Sequence, residues 1–168
     1  METPLPERKH PRLKEYDYSQ NGCYFVTVCT DKRREILCRI AVGRGDLTPP
    51  STELTPWGEI VEKYIHGMET AYPHITVEHY AIMPNHVHLL LTFSQLPCGG
   101  MGSCRPTALP TVIRGWKGLI TREIGQPIWQ ASFYEHIVRT QRDYEEIWRY
   151  IDTNPAKWTE DEYYTPQA

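Results

Sequence analysis

The chain has 168 residues, 40% of them hydrophobic and 23% charged, and its formal net charge is −3. This composition is typical of one soluble globular domain and argues against a protein whose nucleic-acid binding rests on an overall positive charge. No apolar run reaches the roughly 20 residues of a membrane span and the N-terminus has no apolar signal core, so we expect a cytoplasmic protein with no membrane partner.

Charge is unevenly distributed along the chain. Lysine and arginine are concentrated in residues 1–40 and 105–143, whereas residues 41–104 and 144–168 are acidic. A local basic surface is therefore compatible with the negative total. Five cysteines form no Cys-x-x-Cys pair, which predicts reduced thiols; they are at positions 23, 29, 38, 98 and 104.

The chain begins with a predicted polar arm and a first strand. We predict an arm at 1–20, a single domain at 21–158 and an acidic tail at 159–168. Aromatic and β-branched residues predict a strand at 23–30. A charged turn containing Arg33 and Arg34 follows it.

The next segment divides into an irregular part and a helix. Glycines and prolines in residues 38–56 predict irregular structure. Thr55 can cap a helix that starts at Pro56, and apolar residues then repeat at helical spacing until Pro73 ends the pattern. We assign this helix to the core.

Two histidines stand inside the most apolar part of the chain. Residues 75–83 and 86–93 predict two antiparallel strands joined by a tight Pro-Asn connection. Residues two apart in a strand share a face, so His86 and His88 point one way while Val87 and its i+2 neighbours point into the core. Two imidazoles on one face can share a divalent metal that takes its third ligand from elsewhere. A bare His-x-His is equally compatible with two half-exposed histidines that bind nothing.

A predicted flexible loop at 96–108 separates the histidines from a second helix that begins near Pro110. One face of this helix is apolar, with Val112, Ile113, Trp116, Leu119 and Ile120. The other faces carry Arg114, Lys117 and Arg122, which predicts either a solvated surface or contacts to a phosphate backbone. Residues 128–139 then predict an approach loop and a further strand.

The last helix is predicted at 143–154, and one of its tyrosines does not fit the apolar face. The predicted buried stripe consists of Tyr144, Ile147, Trp148 and Ile151. At about 100° per residue, Tyr150 lies about 110° from the centre of this stripe, and Asn154 falls within about 40° of Tyr150. A phenol and an amide presented together resemble a nucleophile beside a ligand.

Two motifs together resemble the single-tyrosine HUH transposases of bacterial insertion sequences, and among them most closely the REP-associated tyrosine transposases. The first motif, at 83–88, is Met-Pro-Asn-His-Val-His. The second begins at 129 with Trp-Gln-x-x-Phe-Tyr-Glu-His-x-x-Arg, and Tyr-Ile-x-x-Asn-Pro-x-Lys-Trp follows at 150–158. Their order and spacing make the similarity specific, and it extends from about residue 24 to 158.

This resemblance implies an α+β, ferredoxin-like fold. Two helices would cover one face of an antiparallel sheet, and the C-terminal tyrosine-bearing helix would close over a metal site on the other face. It implies further that His86, His88 and Asn154 bind a divalent metal, Mg²⁺ or Mn²⁺, and that Tyr150 is the nucleophile. The protein would then cleave and rejoin single-stranded DNA through a 5′-phosphotyrosine intermediate.

The implied partner is single-stranded or hairpin DNA from repeated palindromic elements, bound by a monomer or a homodimer. Candidate phosphate contacts are Arg33, Arg34, Arg114, Lys117, Arg122, Arg139 and Lys157. His79 and His136 are candidates for supporting roles.

Two other functions are compatible with the sequence. The first is a catalytically silent protein that keeps the fold for binding hairpin DNA. The second is an unrelated metal hydrolase in which a carboxylate such as Glu78 or Glu135 joins the two histidines and Tyr150 is dispensable.

Overall fold

The computed structural model describes residues 16–41, 51–94 and 107–164. Most of the predicted arm and of the predicted loop at 96–108, with Cys98 and Cys104, therefore lies outside the described residues. Among the helices that are described, none combines the length and the apolar character needed to cross a membrane.

The described residues form six strands and four helices. The strands are β1 (Gly22–Cys29), β2 (Cys38–Ala41), β3 (Ser51–Leu54), β4 (Ile75–Ile82), β5 (His86–Phe93) and β6 (Tyr134–Val138). The helices are α1 (Pro56–His66), α2 (Met68–Ala71), α3 (Leu109–Ile124) and α4 (Gln141–Thr153). Two short 3-10 turns, Asp31–Arg33 and Pro155–Glu160, complete the secondary structure.

The main sheet has four strands in the order β4-β5-β1-β6, and every neighbouring pair is antiparallel. The strands β1 and β5 occupy its centre. Helices α1 and α3 pack on one face, while α4 crosses the other. The predicted ferredoxin-like α+β fold, with the tyrosine-bearing helix on the face opposite the other two, is confirmed.

The alternation of side chains along the central strands creates two cores. Val26 of β1 and Leu89 of β5 face α1 and α3, and they pack there with large buried residues such as Trp116. Each such side chain contributes about 1.5–3 kcal/mol when it is fully buried. On the opposite face, a smaller core joins Phe25 and Leu90 to α4 and the turn that follows it. This second core holds α4 against the sheet.

The prediction of irregular structure at 38–56 is wrong in part. Strands β2 and β3 pair as a two-stranded antiparallel sheet, in which Cys38 lies opposite Leu54. The backbone N–H of Thr55 donates to the Leu37 carbonyl over 2.9 Å, which ties the base of this hairpin to the start of α1. Gly58 in the first turn of α1 allows that approach, since a Cβ there would collide with the same carbonyl oxygen. Thr55 caps α1 as predicted, with its side chain accepting from the Gly58 N–H.

Three helical expectations differ from the structure. The first predicted helix divides at Gly67 into α1 and α2. Leu119, expected on the buried face of α3, is exposed. Trp148, expected in the core beneath α4, is also exposed and stacks on His79 of the edge strand β4, with ring centroids 4.4 Å apart. Because no other described helix or strand packs on the outer side of α4, only part of its apolar stripe is covered by the residues that the structure describes.

Candidate metal and tyrosine site

The two histidines of β5 lie side by side on the α4 face of the sheet. In the register of β1 and β5, His86 is opposite Cys29 and His88 is opposite Thr27. The exposed fraction is 0% for His86 and 1% for His88. Their Nε2 atoms are 3.0 Å apart. The shared face that the sequence predicted therefore brings two ring nitrogens to one point.

Each imidazole has a partner at its other nitrogen. The Asn85 side-chain oxygen lies 2.8 Å from His86 Nδ1. The Thr27 hydroxyl lies 2.9 Å from His88 Nδ1. Partners of this kind orient the rings of metal-binding histidines. The two Nδ1 atoms are thus occupied, and both Nε2 atoms face the same point.

The electrostatics of this pair favour neutral rings. Burial lowers the pKa of His88 to about 3. Burial, and then the neighbouring His88, lower the pKa of His86 well below its ordinary value. Loss of water disfavours the charged imidazolium in both cases. At neutral pH each ring is uncharged, which is the state that offers a lone pair to a metal.

A carboxylate completes the cluster from a position that the sequence analysis did not predict. Asp161 places an oxygen so that the three ligand atoms, one each from His86, His88 and Asp161, all lie within 4.8 Å of one another. One Asp161 oxygen accepts from the Tyr163 N–H over 2.7 Å. Burial raises the pKa of the Asp161 carboxyl, and contacts with the Tyr163 N–H and the Asn154 side chain partly offset this rise. Two imidazoles and a carboxylate fit a divalent metal.

The predicted tyrosine and asparagine face the same place. Tyr150, Asn154 and Asp161 line a cavity of about 620 Å³ together with His88 and Lys157. The Tyr150 ring centroid is 5.2 Å from that of His88, and Tyr150 is 40% exposed. Asn154 is only 3% exposed, and its side chain contacts both Tyr150 and Asp161. Burial, followed by the carboxylates of Asp161 and Glu162, raises the pKa of Tyr150 to about 12.

Residues 155–164, here named the C-terminal strap, cover the histidines. The Tyr163 ring lies over His86, with centroids 4.6 Å apart. The Asn85 amide nitrogen donates to the Tyr163 carbonyl over 2.8 Å. Arg33 lies over the outer face of Tyr163, at 5.1 Å from the ring centroid. The strap explains why Asp161 reaches a site that is distant from it in sequence.

The predicted DNA-binding cations are spread over several surfaces. Lys157 lines the tyrosine cavity, and it is the one member of the predicted set that does so within the described residues. Arg114 and Lys117 line a separate groove of about 450 Å³ beside α3. Lys117 is partly buried and donates to the backbone carbonyls of Gln130 and Ala131. The remaining members lie outside both cavities: Arg33, Arg34, Arg122 and Arg139.

The predicted supporting histidines do not reach the cavity. His79 stacks on Trp148 and lies 3.8 Å from Asp152. His136 pairs with Asp143 at 2.9 Å, which joins the middle of β6 to the first turn of α4. Both positions fit a structural role in holding α4.

The carboxylates of the alternative hydrolase are engaged elsewhere. Glu78 accepts from the Tyr144 hydroxyl and Glu135 accepts from the Tyr18 hydroxyl. Neither belongs to the cluster that forms around the two histidines, where Asp161 is the acidic member.

Comparisons with known proteins agree with this geometry. An uncharacterized protein from Haemophilus influenzae is 29% identical over 177 residues, covering 95% of this chain and 94% of that protein. A second protein of the same organism, provisionally assigned to the REP-associated tyrosine transposases, is 23% identical and covers 84% of this chain and 74% of its own length. No protein-family model matches the chain.

A solved structure extends the likeness to the fold. The structure of a REP-associated tyrosine transposase bound to a REP hairpin has a TM-score of 0.58 and 25% sequence identity to this chain. The match covers 87% of this chain and 74% of that one. The resemblance to REP-associated tyrosine transposases is therefore confirmed in both sequence and fold.

Proposed function

We propose that this chain is a metal-dependent transposase-like enzyme that cleaves and rejoins single-stranded DNA, with Tyr150 as the nucleophile. The observation that carries the proposal is the shared cavity, in which the Tyr150 phenol stands beside His88 and Asp161. The relation to REP-associated tyrosine transposases supports a DNA-processing enzyme.

The metal site would consist of nitrogen and oxygen donors. The Nε2 atoms of His86 and His88 and a carboxylate oxygen of Asp161 would hold the ion, and the Asn154 amide oxygen is a fourth candidate donor. Imidazole and oxygen ligands with open positions suit Mn²⁺ or Mg²⁺. When bound, the metal supplies positive charge to a non-bridging oxygen of the scissile phosphate.

The hydroxyl oxygen of Tyr150 is the proposed nucleophile. The phenol attacks phosphorus, the new bond joins the tyrosine oxygen to the 5′-phosphate, and the bond from phosphorus to the 3′ oxygen breaks. The phenol loses a proton and the leaving 3′ oxygen gains one, so cleavage releases no net proton. Because the covalent link conserves the energy of the phosphodiester bond, a second 3′-hydroxyl can reverse the step and join strands without ATP.

The geometry favours a flexible, unpaired substrate strand. Tyr150 lines the cavity beside the C-terminal strap and is 40% exposed, so an unpaired strand that bends into this cavity can bring a phosphate to the phenol more easily than a regular duplex can. Lys157 lines the same cavity and would pair with a phosphate beside the scissile one. The hairpin carried by the solved relative suggests that the strand flanks a hairpin, as in repeated palindromic DNA.

One experiment tests the proposal directly. The protein is incubated with a labelled DNA hairpin that carries single-stranded flanks, in Mn²⁺ and in EDTA. We expect an SDS-resistant protein–DNA adduct that needs the metal and disappears in Tyr150→Phe. A silent hairpin-binding protein would retard the DNA in a gel without any adduct, and a metal hydrolase would cleave it equally well in Tyr150→Phe.

A further inference from the structure

The two histidines have different partners at Nδ1, and the difference has a chemical consequence. The partner of His86 is an amide, Asn85, whereas the partner of His88 is a hydroxyl, Thr27. A neutral imidazole carries its one hydrogen on either nitrogen, and the group at Nδ1 decides which. An amide oxygen can only accept a hydrogen bond, but a hydroxyl can donate or accept.

The orientation of the Asn85 amide is fixed by a second contact. Its nitrogen donates to the Tyr163 carbonyl over 2.8 Å, and a carbonyl offers no hydrogen of its own. The Asn85 oxygen must therefore face His86, and it requires a hydrogen on His86 Nδ1. Asn85 is fully buried, so water does not replace either contact. His86 Nε2 is left with a lone pair.

The contact between the two rings then assigns the hydrogen of His88 when no metal is bound. Two Nε2 lone pairs would repel each other at 3.0 Å, so one of these nitrogens must carry a hydrogen. Since the hydrogen of His86 is on Nδ1, the donor is His88 Nε2. His88 Nδ1 is then an acceptor, and the Thr27 hydroxyl donates to it.

We infer that Asn85 locks His86 as the Nδ1–H tautomer, while Thr27 lets His88 exchange its tautomer when a metal binds between the rings. In that exchange, the proton on His88 Nε2 leaves to water and water returns one to Nδ1, so no net proton is released. The Thr27 oxygen changes from donor to acceptor and turns its hydrogen toward the cavity that it lines. The two are positioning residues, and the inference rests on the proposed metal site.

Nitrogen-15 NMR of the histidine rings tests this inference. In the metal-free protein we expect a protonated Nδ1 on His86 and a protonated Nε2 on His88. With saturating Zn²⁺, a diamagnetic probe, His86 should keep its tautomer and His88 should change to Nδ1–H. A metal-free His88 protonated at Nδ1, or a His88 that binds Zn²⁺ without changing tautomer, would overturn the inference.

Conservative substitutions separate positioning from simple structural support. Thr27→Val removes the hydroxyl at nearly constant volume, and we expect Mn²⁺ affinity to fall by about 10–100-fold, with recovery in Thr27→Ser. Asn85→Ala should leave His86 as a mixture of tautomers, whereas Asn85→Asp, which loses the donor to the Tyr163 carbonyl but still accepts at Nδ1, should keep Nδ1–H. Thermal melting identifies any variant that is not folded. If Thr27→Val or Asn85→Ala is unfolded, the Thr27→Ser and Asn85→Asp variants still test the inference.

The outcomes also distinguish this inference from the proposed function. If the wild-type protein binds neither Mn²⁺ nor Zn²⁺ at the histidines, the proposed metal site is wrong, although the metal-free tautomers still test the Asn85 lock. If metal binds while folded Thr27→Val and Asn85→Ala keep wild-type affinity and tautomers, the metal site stands and the positioning roles are wrong.

Discussion

The ring of Tyr150 lies against the ring of His88, with a centroid distance of 5.2 Å and an interplanar angle of 62°. The first residue belongs to α4 and the second to β5, so the contact depends on how the helix packs across the sheet. Phe25 of β1 supports the arrangement, with its ring 6.0 Å from that of Tyr150. The candidate nucleophile and the candidate metal ligand are thus in contact above the two central strands of the sheet.

The first prediction concerns Tyr150→Phe. Tyr150 lines the cavity and remains 40% exposed, so the free energy of unfolding should change by no more than about 0.5 kcal/mol. The covalent DNA adduct should disappear while hairpin binding persists. Tyr144→Phe is the matched control on the same helix, and it should keep the adduct. Digestion and mass spectrometry that place the adduct on any other residue would refute the assignment.

The second prediction concerns the histidine pair. His86→Gln and His88→Gln should each abolish Mn²⁺ binding and DNA cleavage, because each removes one of two converging ring nitrogens. Calorimetric titration with Mn²⁺ measures the first effect. His79→Gln, on the neighbouring strand and outside the cluster, should leave Mn²⁺ binding unchanged. Full metal-dependent cleavage by a folded His88→Gln variant would contradict the metal site.

The third prediction separates the two carboxylates near Tyr150. Both Asp161 and Glu162 raise the pKa of Tyr150, but only Asp161 belongs to the candidate metal cluster. Asp161→Asn and Glu162→Gln should both lower the pKa of Tyr150, measured by NMR of labelled tyrosine rings. Mn²⁺ affinity should fall in Asp161→Asn alone. Equal affinities in the two variants would show that Asp161 is not a ligand.

The fourth prediction is a dependence of stability on pH in EDTA. Burial lowers the pKa of His88 from 6.5 to about 3, so below pH 6.5 the unfolded chain takes up a proton that the folded protein does not. Acidification therefore destabilises the fold, by about 1.4 kcal/mol per pH unit for each such histidine. Urea unfolding between pH 6.5 and 5 measures this slope. The His88→Gln variant should show a smaller slope, reduced by the contribution of one histidine. An unchanged slope would argue against a neutral, buried His88.

The fifth prediction contrasts two cations of α3. Arg114 is exposed, so Arg114→Ala should weaken hairpin binding and reduce the salt slope by about one unit if it contacts a phosphate. Lys117 holds the carbonyls of Gln130 and Ala131, so Lys117→Met should cost about 1.5–3 kcal/mol of stability. Unfolding curves and salt titrations distinguish the two effects. If Lys117→Met lowers DNA affinity without loss of stability, the lysine is a DNA contact instead.

Local pattern explains why some features could be predicted from sequence. The period of two along β5 places His86 and His88 on one face and Val87 on the other, whatever the surroundings. Helical spacing likewise separates Tyr150 from Ile151, which is buried while its neighbour faces the cavity. Both results need only the geometry of a single element.

The features that sequence reasoning missed depend on tertiary contacts. Asp161 follows a 3-10 turn in a stretch whose acidic composition predicts a solvated tail, and the tether between Asn85 and Tyr163 is what brings it to the histidines. The pairing of β2 with β3 has no strong local signal either. Helical spacing predicts that Trp148 is buried, but no second layer among the described elements covers it. One chemical argument did indicate a missing residue, because a metal bound by a His-x-His pair requires a third ligand from elsewhere in the chain.

The C-terminal strap bears on how this chain can be shortened for crystallisation or fused to other proteins. An acidic segment at the end of a chain is a common target for trimming, but stopping at residue 158 would delete both Asp161 and the Tyr163 carbonyl that orients Asn85. Such a product would keep the four-stranded sheet and both helices beneath it, so it would pass ordinary tests of folding. It would nevertheless lack a candidate metal ligand and the cover over His86, and its inactivity would say nothing about the untrimmed chain.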